Sequence, residues 1–193
     1  MNKILYIDAC IKREDHSRTE KLAQAYLKTL LSKNNSVLET IVLENAHILP
    51  LNESSLEKRE AKISANDFSD PCFDFAKKLI DADELVIAAP YWDMSFPSIL
   101  KIFLENICVR NLTFHYNAQG IPCGLINIKS VTYITTAGGY IGESNFGFDY
   151  IKGLFSALFS IRNFSCFSAE GLDIYGNNPE QILLDAINRQ TNT

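Results

Sequence analysis

The chain has 193 residues, enough for one well-cored domain and too few for two, so residues 1–193 are read as a single domain. Hydrophobic residues make up 47% and charged residues 21%, with only 9 Gly and 6 Pro, which excludes disordered and fibrous classes. The 23 acidic and 18 basic side chains give a net charge of -5, and no Lys/Arg run offers a footprint for nucleic acid.

Lys3 to Asp8 predicts a short buried strand. Its apolar run Ile4-Leu5-Tyr6-Ile7 stops at Asp8, far short of a signal-peptide core, and nothing later approaches the ~20 apolar residues of a membrane span. A cytoplasmic protein without a membrane partner is therefore expected. Ser17 or Thr19 caps a helix carrying Leu22, Ala25, Tyr26 and Leu30 at helical spacing, and Val37 to Leu43 predicts a second strand. Asn52 to Asp70 is more polar than its surroundings and reads as a helical insertion or a mobile segment. Phe73 to Ala82 follows as a helix and Glu84 to Ala89 as a third strand ended by Pro90.

After Pro97, Ser98 to Arg110 is helical, with Ile99, Leu100, Ile102, Phe103, Leu104, Ile107 and Val109 too numerous for one apolar stripe. A second buried face is implied, covered by a partner subunit, by residues 111–125, or by both. Val131 to Thr136 predicts the fourth strand, Phe148 to Ile161 a helix, Phe164 to Ser168 the fifth strand, and Pro179 to Arg189 the last helix. Strands alternating with helices predict an α/β three-layer sandwich with a parallel sheet covered on both faces. Five units suit the flavodoxin-like order 2-1-3-4-5, in which ligands bind at the carboxyl ends of the strands. The site should then lie among the loops 8–19, 90–97 and 136–147. The five cysteines form no C-x-x-C pair and read as reduced thiols, with no metal site expected.

The first loop leads into a helix N-terminus with Ser17, Arg18 and Thr19, a phosphate-binding set that equally serves as a plain N-cap. His16 beside it adds charge when protonated or is simply solvated. No P-loop or G-x-G-x-x-G turn occurs, which favours one phosphate over two. Pro90-Tyr91-Trp92-Asp93-Met94-Ser95-Phe96-Pro97 supplies either an aromatic binding wall or a loop folded over its own core. Gly138-Gly139 lets backbone N–H groups approach a flat ligand. Cys10 reads as a small buried residue ahead of a lowered-pKa thiol, and His115 as structural ahead of a proton donor.

Ser17-Arg18-Thr19, Ala89 to Met94, Leu112-Thr113-Phe114-His115-Tyr116 and Thr136 to Gly139 follow in an order and spacing that resembles the FMN-dependent NAD(P)H:quinone oxidoreductase/azoreductase family over nearly the whole chain. The resemblance implies an FMN enzyme that uses NADH or NADPH to reduce quinones, azo compounds or similar small aromatic electron acceptors by ping-pong hydride transfer, working as a homodimer. It implies a phosphate held by Ser17, Arg18 and Thr19 with Cys10 nearby. Pro90, Tyr91, Trp92, Asp93 and Met94 would wrap the isoalloxazine, and Thr136, Ala137, Gly138 and Gly139 would meet its polar side. No protein catalytic residue is then needed, because the flavin carries the chemistry. Asp93 stands where the family has Asn, and Ala137 where it often has Arg; the first opposes charge on the reduced ring and the second removes a cation. A flavodoxin-like electron carrier without substrate turnover is the alternative. It lacks the T-x-T-G-x-T loop and strongly acidic surface it would need.

Overall fold

The computed structural model describes residues 1–12, 17–33 and 35–191, with Thr191 described by its backbone alone; His16 lies outside them. Strands β1 (Asn2–Asp8), β2 (Ser36–Val42), β3 (Glu84–Ala88), β6 (Ser130–Thr136) and β7 (Phe164–Ala169) form one parallel sheet in the order β2-β1-β3-β6-β7. With the hairpin strands β4 (Phe114–Tyr116) and β5 (Pro122–Gly124) set aside, this is the expected order 2-1-3-4-5. Ile4 pairs with Leu38 on one side and Glu84 on the other, and the register holds to Asp8 opposite Val42 and Ala88.

Because side chains alternate along a strand, each strand feeds two cores. Leu5, Ile7, Leu85, Ile87, Val131 and Tyr133 join α3 (Asp74–Ile80), α4 (Ser98–Ile107) and α5 (Phe146–Phe159) through Leu79, Phe103, Leu104, Ile151 and Phe155. Ile4, Tyr6, Val86, Ala88 and Ile134 face the other way, onto Leu22, Ala23 and Leu27 of α1 (Arg18–Lys33) and Ala186 of α6 (Pro179–Thr191). Each such large apolar side chain contributes about 1.5–3 kcal/mol on burial.

The polar stretch 52–70 forms the helix α2 (Glu53–Ser64), started by a capping box in which Asn52 and Ser55 exchange hydrogen bonds at 2.9 Å. Expected boundaries shift where caps intervene. The helix predicted from Phe73 begins instead with a 3-10 turn, Pro71–Phe73, whose Asp70 side chain accepts from the Cys72 N–H. Asn145 accepts from the Phe148 N–H at 2.9 Å, which starts α5 at Phe146 rather than Phe148.

The helix expected to run to Arg110 stops at Ile107 because side chains take over its last carbonyls. Thr113 Oγ1 donates to the Ile107 carbonyl at 2.8 Å, and Arg59 donates to the Glu105 and Cys108 carbonyls at 3.1 and 3.4 Å. Residues 114–124 are an antiparallel hairpin, not a lone extended segment; His115 sits in it opposite Cys123. The hairpin packs on the end of α5, with the Phe114 and Phe159 rings 6.4 Å apart. The other side of α4 is covered from α3, where Phe75 meets Phe103 edge-on at 5.9 Å, and from the segment after β2, whose Leu49 carbonyl accepts from Asn106. This intramolecular cover takes up much of the excess apolar surface of α4. Among the described residues no helix is long and apolar enough to cross a membrane.

Candidate functional site

The sheet reverses its direction of growth at β1 and β3, and the crevice outside their carboxyl ends is where such sheets bind ligands. A cavity of about 220 Å³ lies there. Cys10, Ile11 and Lys12 line it from beyond β1, and Ser17, Arg18 and Thr19 from the start of α1. Pro90, Tyr91 and Trp92 come from beyond β3, Thr136 and Gly138 from the end of β6, and Asp173 from beyond β7. Nine of the thirteen residues expected from sequence thus meet in one cavity. Asp93, Met94, Ala137 and Gly139 are absent from its lining.

Ser17 is the N-cap of α1: its Oγ accepts from the Glu20 N–H at 3.1 Å and its carbonyl from the Lys21 N–H. Capping and ligand binding are compatible, because the N–H groups of Arg18 and Thr19 have no acceptor within the helix. Thr19 Oγ1 lies 2.6 Å from Thr136 Oγ1, which ties this helix start to the end of β6. Beneath them the buried Glu20 carboxylate accepts from Tyr6 Oη and from Gln24 Nε2, and Asp8 accepts from the Cys10 N–H at 2.8 Å. Burial, with the Asp8 charge second, pushes the Cys10 thiol well up, so it remains protonated and unreactive as a nucleophile.

The aromatic loop is a tight two-residue turn in which Trp92 and Ser95 exchange backbone hydrogen bonds at 3.2 and 2.8 Å. Asp93 and Met94 both have positive φ, 48° and 67°, as a twisted hairpin turn demands. The turn carries their side chains into solvent and leaves the half-exposed Trp92 against the cavity. Phe96 turns away to meet Tyr150.

At the third loop the carbonyls of Ala137, Gly138 and Gly139 accept from Leu172, Asp173 and Gly171 at 3.2, 2.9 and 2.8 Å. Among the described residues the Gly138 and Gly139 N–H groups donate to no backbone carbonyl, so they are the free donors of this turn. A Cβ at position 138 would come within 2.4 Å of Asp173 Oδ2, whereas one at 139 would meet nothing within 4 Å. Ala137 is buried against the loop after β7, which explains its absence from the lining.

Ile11, Lys12 and Asp173 are the lining residues that the sequence reading missed. Lys12 lies within a loop already singled out. Asp173 follows the fifth strand of the sheet, and the rule that strand carboxyl ends hold the site could have found it. Arg18 turns to that residue: Nη1 and Nη2 grip Asp173 Oδ1 and Oδ2 at 2.8 and 3.0 Å. Two cations and a helix N-terminus suit a phosphate, while Tyr91, Trp92 and the glycine amides suit a flat, polar-edged ring. The residues present fit FMN.

A family profile described as flavodoxin-like fold matches residues 2–191. The FMN-dependent NADH:quinone oxidoreductase of Clostridium beijerinckii is 32% identical over 196 residues, covering 100% of this chain and 98% of the relative. That of Clostridium perfringens strain ATCC 13124 is 33% identical over 193 residues, covering 98% and 96%. Among solved structures, an azoreductase of Bacillus anthracis strain Sterne superposes with a TM-score of 0.86 at 18% identity, over 100% of this chain and 98% of that one. The FMN-dependent NADH-azoreductase of Bacillus anthracis Ames Ancestor, solved in complex with FMN, gives 0.82 at 21% identity, over 100% and 97%. The structural likeness carries the fold and the full-length sequence similarity carries the kinship: the chain belongs to the flavodoxin-like family of FMN-dependent NAD(P)H:quinone oxidoreductases and azoreductases.

Proposed function

We propose that this protein is an FMN-dependent oxidoreductase that uses NADH or NADPH to reduce quinones, azo compounds or similar small aromatic acceptors. The observation that carries the reading is one cavity joining a cation-bearing helix start, an aromatic wall and the unspent Gly138 amide at the carboxyl ends of the strands. The residues lining this cavity would hold FMN, which would supply hydride-transfer chemistry between the reduced nicotinamide and the second substrate.

The chain's own part is to hold and to tune. In this reading Ser17, Arg18 and Thr19, joined by Lys12, hold the phosphate, with Cys10 as a neutral neighbour. Pro90, Tyr91 and Trp92 form one wall of the ring site, and Asp93 and Met94 close its rim from the exposed turn. Thr136 and Ala137 fix the opposite turn by burial, so that the Gly138 and Gly139 N–H groups favour an electron-rich ring edge by preorganised dipoles. Trp92 offers a half-exposed platform that nicotinamide and acceptor use in turn. A cytoplasmic homodimer completes the reading; the apolar surface that Met94, Tyr116 and Ile121 present to solvent in the single chain supports the pairing of subunits.

Purified protein should be yellow, or become so with FMN, and NADH or NADPH should bleach it anaerobically without another protein. Bound FMN that neither nicotinamide bleaches would favour an electron carrier and overturn the enzyme reading.

A further inference from the structure

Arg18 is the charged side chain at the start of α1, yet its guanidinium is already spoken for. Its Nη1 and Nη2 hold both carboxylate oxygens of Asp173, and Nη1 also donates to the Leu172 carbonyl at 3.2 Å. The acid is fixed in place by the backbone, because its own N–H donates to the Gly138 carbonyl at 2.9 Å. Arg18 in turn holds the Asp173 carboxyl below the usual carboxylate range, so it is charged at neutral pH. The cavity wall therefore carries two cations, Lys12 and Arg18, and one anion placed on the second of them.

We propose that Asp173 is an affinity-setting residue for the flavin: its carboxylate competes with the FMN phosphate for Arg18. The inference rests on the phosphate placement proposed above. A phosphate monoester carries about -1.5 to -2 charges at neutral pH and matches the guanidinium fork as well as a carboxylate does. The existing pair is open to solvent, with the Arg18 and Asp173 side chains 37% and 64% exposed, so it is weak enough for the phosphate to displace or share. Asp173 then makes bound FMN more exchangeable than the loop's cations alone would make it. The opposing account has Asp173 merely aiming Arg18 at the phosphate, and it predicts the reverse effect of removing the charge.

The test titrates apoprotein with FMN and with riboflavin, which lacks the phosphate, by quenching of flavin fluorescence. Asp173→Asn should bind FMN about fivefold more tightly, the scale of one exposed ion pair, with riboflavin unchanged. Asp173→Ser, which also lacks the bidentate partner, should agree. The gain should vanish in an Arg18→Leu background, because the competition runs through that residue. Unchanged or weaker FMN binding in both variants, an equal gain for riboflavin, or a gain that persists without Arg18 would each overturn the proposal. Wild-type protein that takes up no FMN sinks the parent reading and this one together, whereas wild-type uptake without the expected gain sinks only this one.

Discussion

Thr19 and Thr136, 117 positions apart in the chain, bring their buried hydroxyls to within 2.6 Å of each other below the ligand cavity. The contact fastens the first turn of α1 to the last residue of β6, so the two halves of the site share one anchor. Thr136→Val removes the partner of the buried Thr19 hydroxyl. It should cost about 1–3 kcal/mol in denaturant unfolding and weaken FMN binding as α1 shifts. The double variant Thr19→Val/Thr136→Val should lose less stability than the sum of the two single changes.

Gly124 lets the hairpin reach the end of α5. A Cβ there would sit 2.1 Å from the Phe159 carbonyl oxygen, a backbone atom that cannot swing aside. Gly124→Ala should therefore destabilise the protein by about 1–3 kcal/mol, read as a lowered midpoint of thermal unfolding. A midpoint equal to that of the wild type would contradict the close packing.

Met94 occupies a left-handed backbone conformation with its side chain in solvent. Met94→Gly creates an Asp-Gly pair, which such turns favour, and should raise stability by up to about 1 kcal/mol. Chemical denaturation of both proteins checks it.

Trp92 is 41% exposed and packs in neither sheet core, so Trp92→Ala should leave the fold intact. Loss of the stacking platform should weaken FMN binding by about 1 kcal/mol, roughly fivefold in affinity by titration.

Burial lifts several acids that ionise at alkaline pH. The Cys108 thiol is pushed up to about 11 and Cys166 to about 12, and Tyr6 and Tyr133 are raised further, burial leading in each case. In the unfolded chain thiols release protons near pH 8.5 and phenols near 10, while the folded chain retains them. The unfolded state then binds fewer protons, so stability is full below about pH 8.5 and falls as pH rises, by about 1.4 kcal/mol per pH unit for each proton retained. Denaturation midpoints measured from pH 8 to 11 should fall, and Cys108→Ala should flatten the decline between 9 and 11.

The strand and helix pattern was legible because Ile4 to Ile7, Leu85 to Ala89 and Val131 to Ile134 are short, mostly apolar runs, closed off by Asp8, Pro90 and the Gly138-Gly139 pair. That pattern fixes a parallel sheet and, with it, the edge at which a ligand binds. Helix ends were less legible. Asn145 caps locally and could have been read, but α4 stops where Arg59 and Thr113 reach its carbonyls from elsewhere in the chain.

Apolar patterning by itself pointed to the parallel sheet, its order and the three loops at its carboxyl edge, and the order of the loop motifs carried the family resemblance. Only the tertiary structure decided what each loop residue faces. Two positive φ angles turn Asp93 and Met94 outward, and the hydrogen bonds between residues 137–139 and 171–173 carry Asp173 onto Arg18. Apolar periodicity is set within a few residues and is visible in the chain. The pairing of charges across 155 positions depends on how loops close in space, which no local pattern encodes.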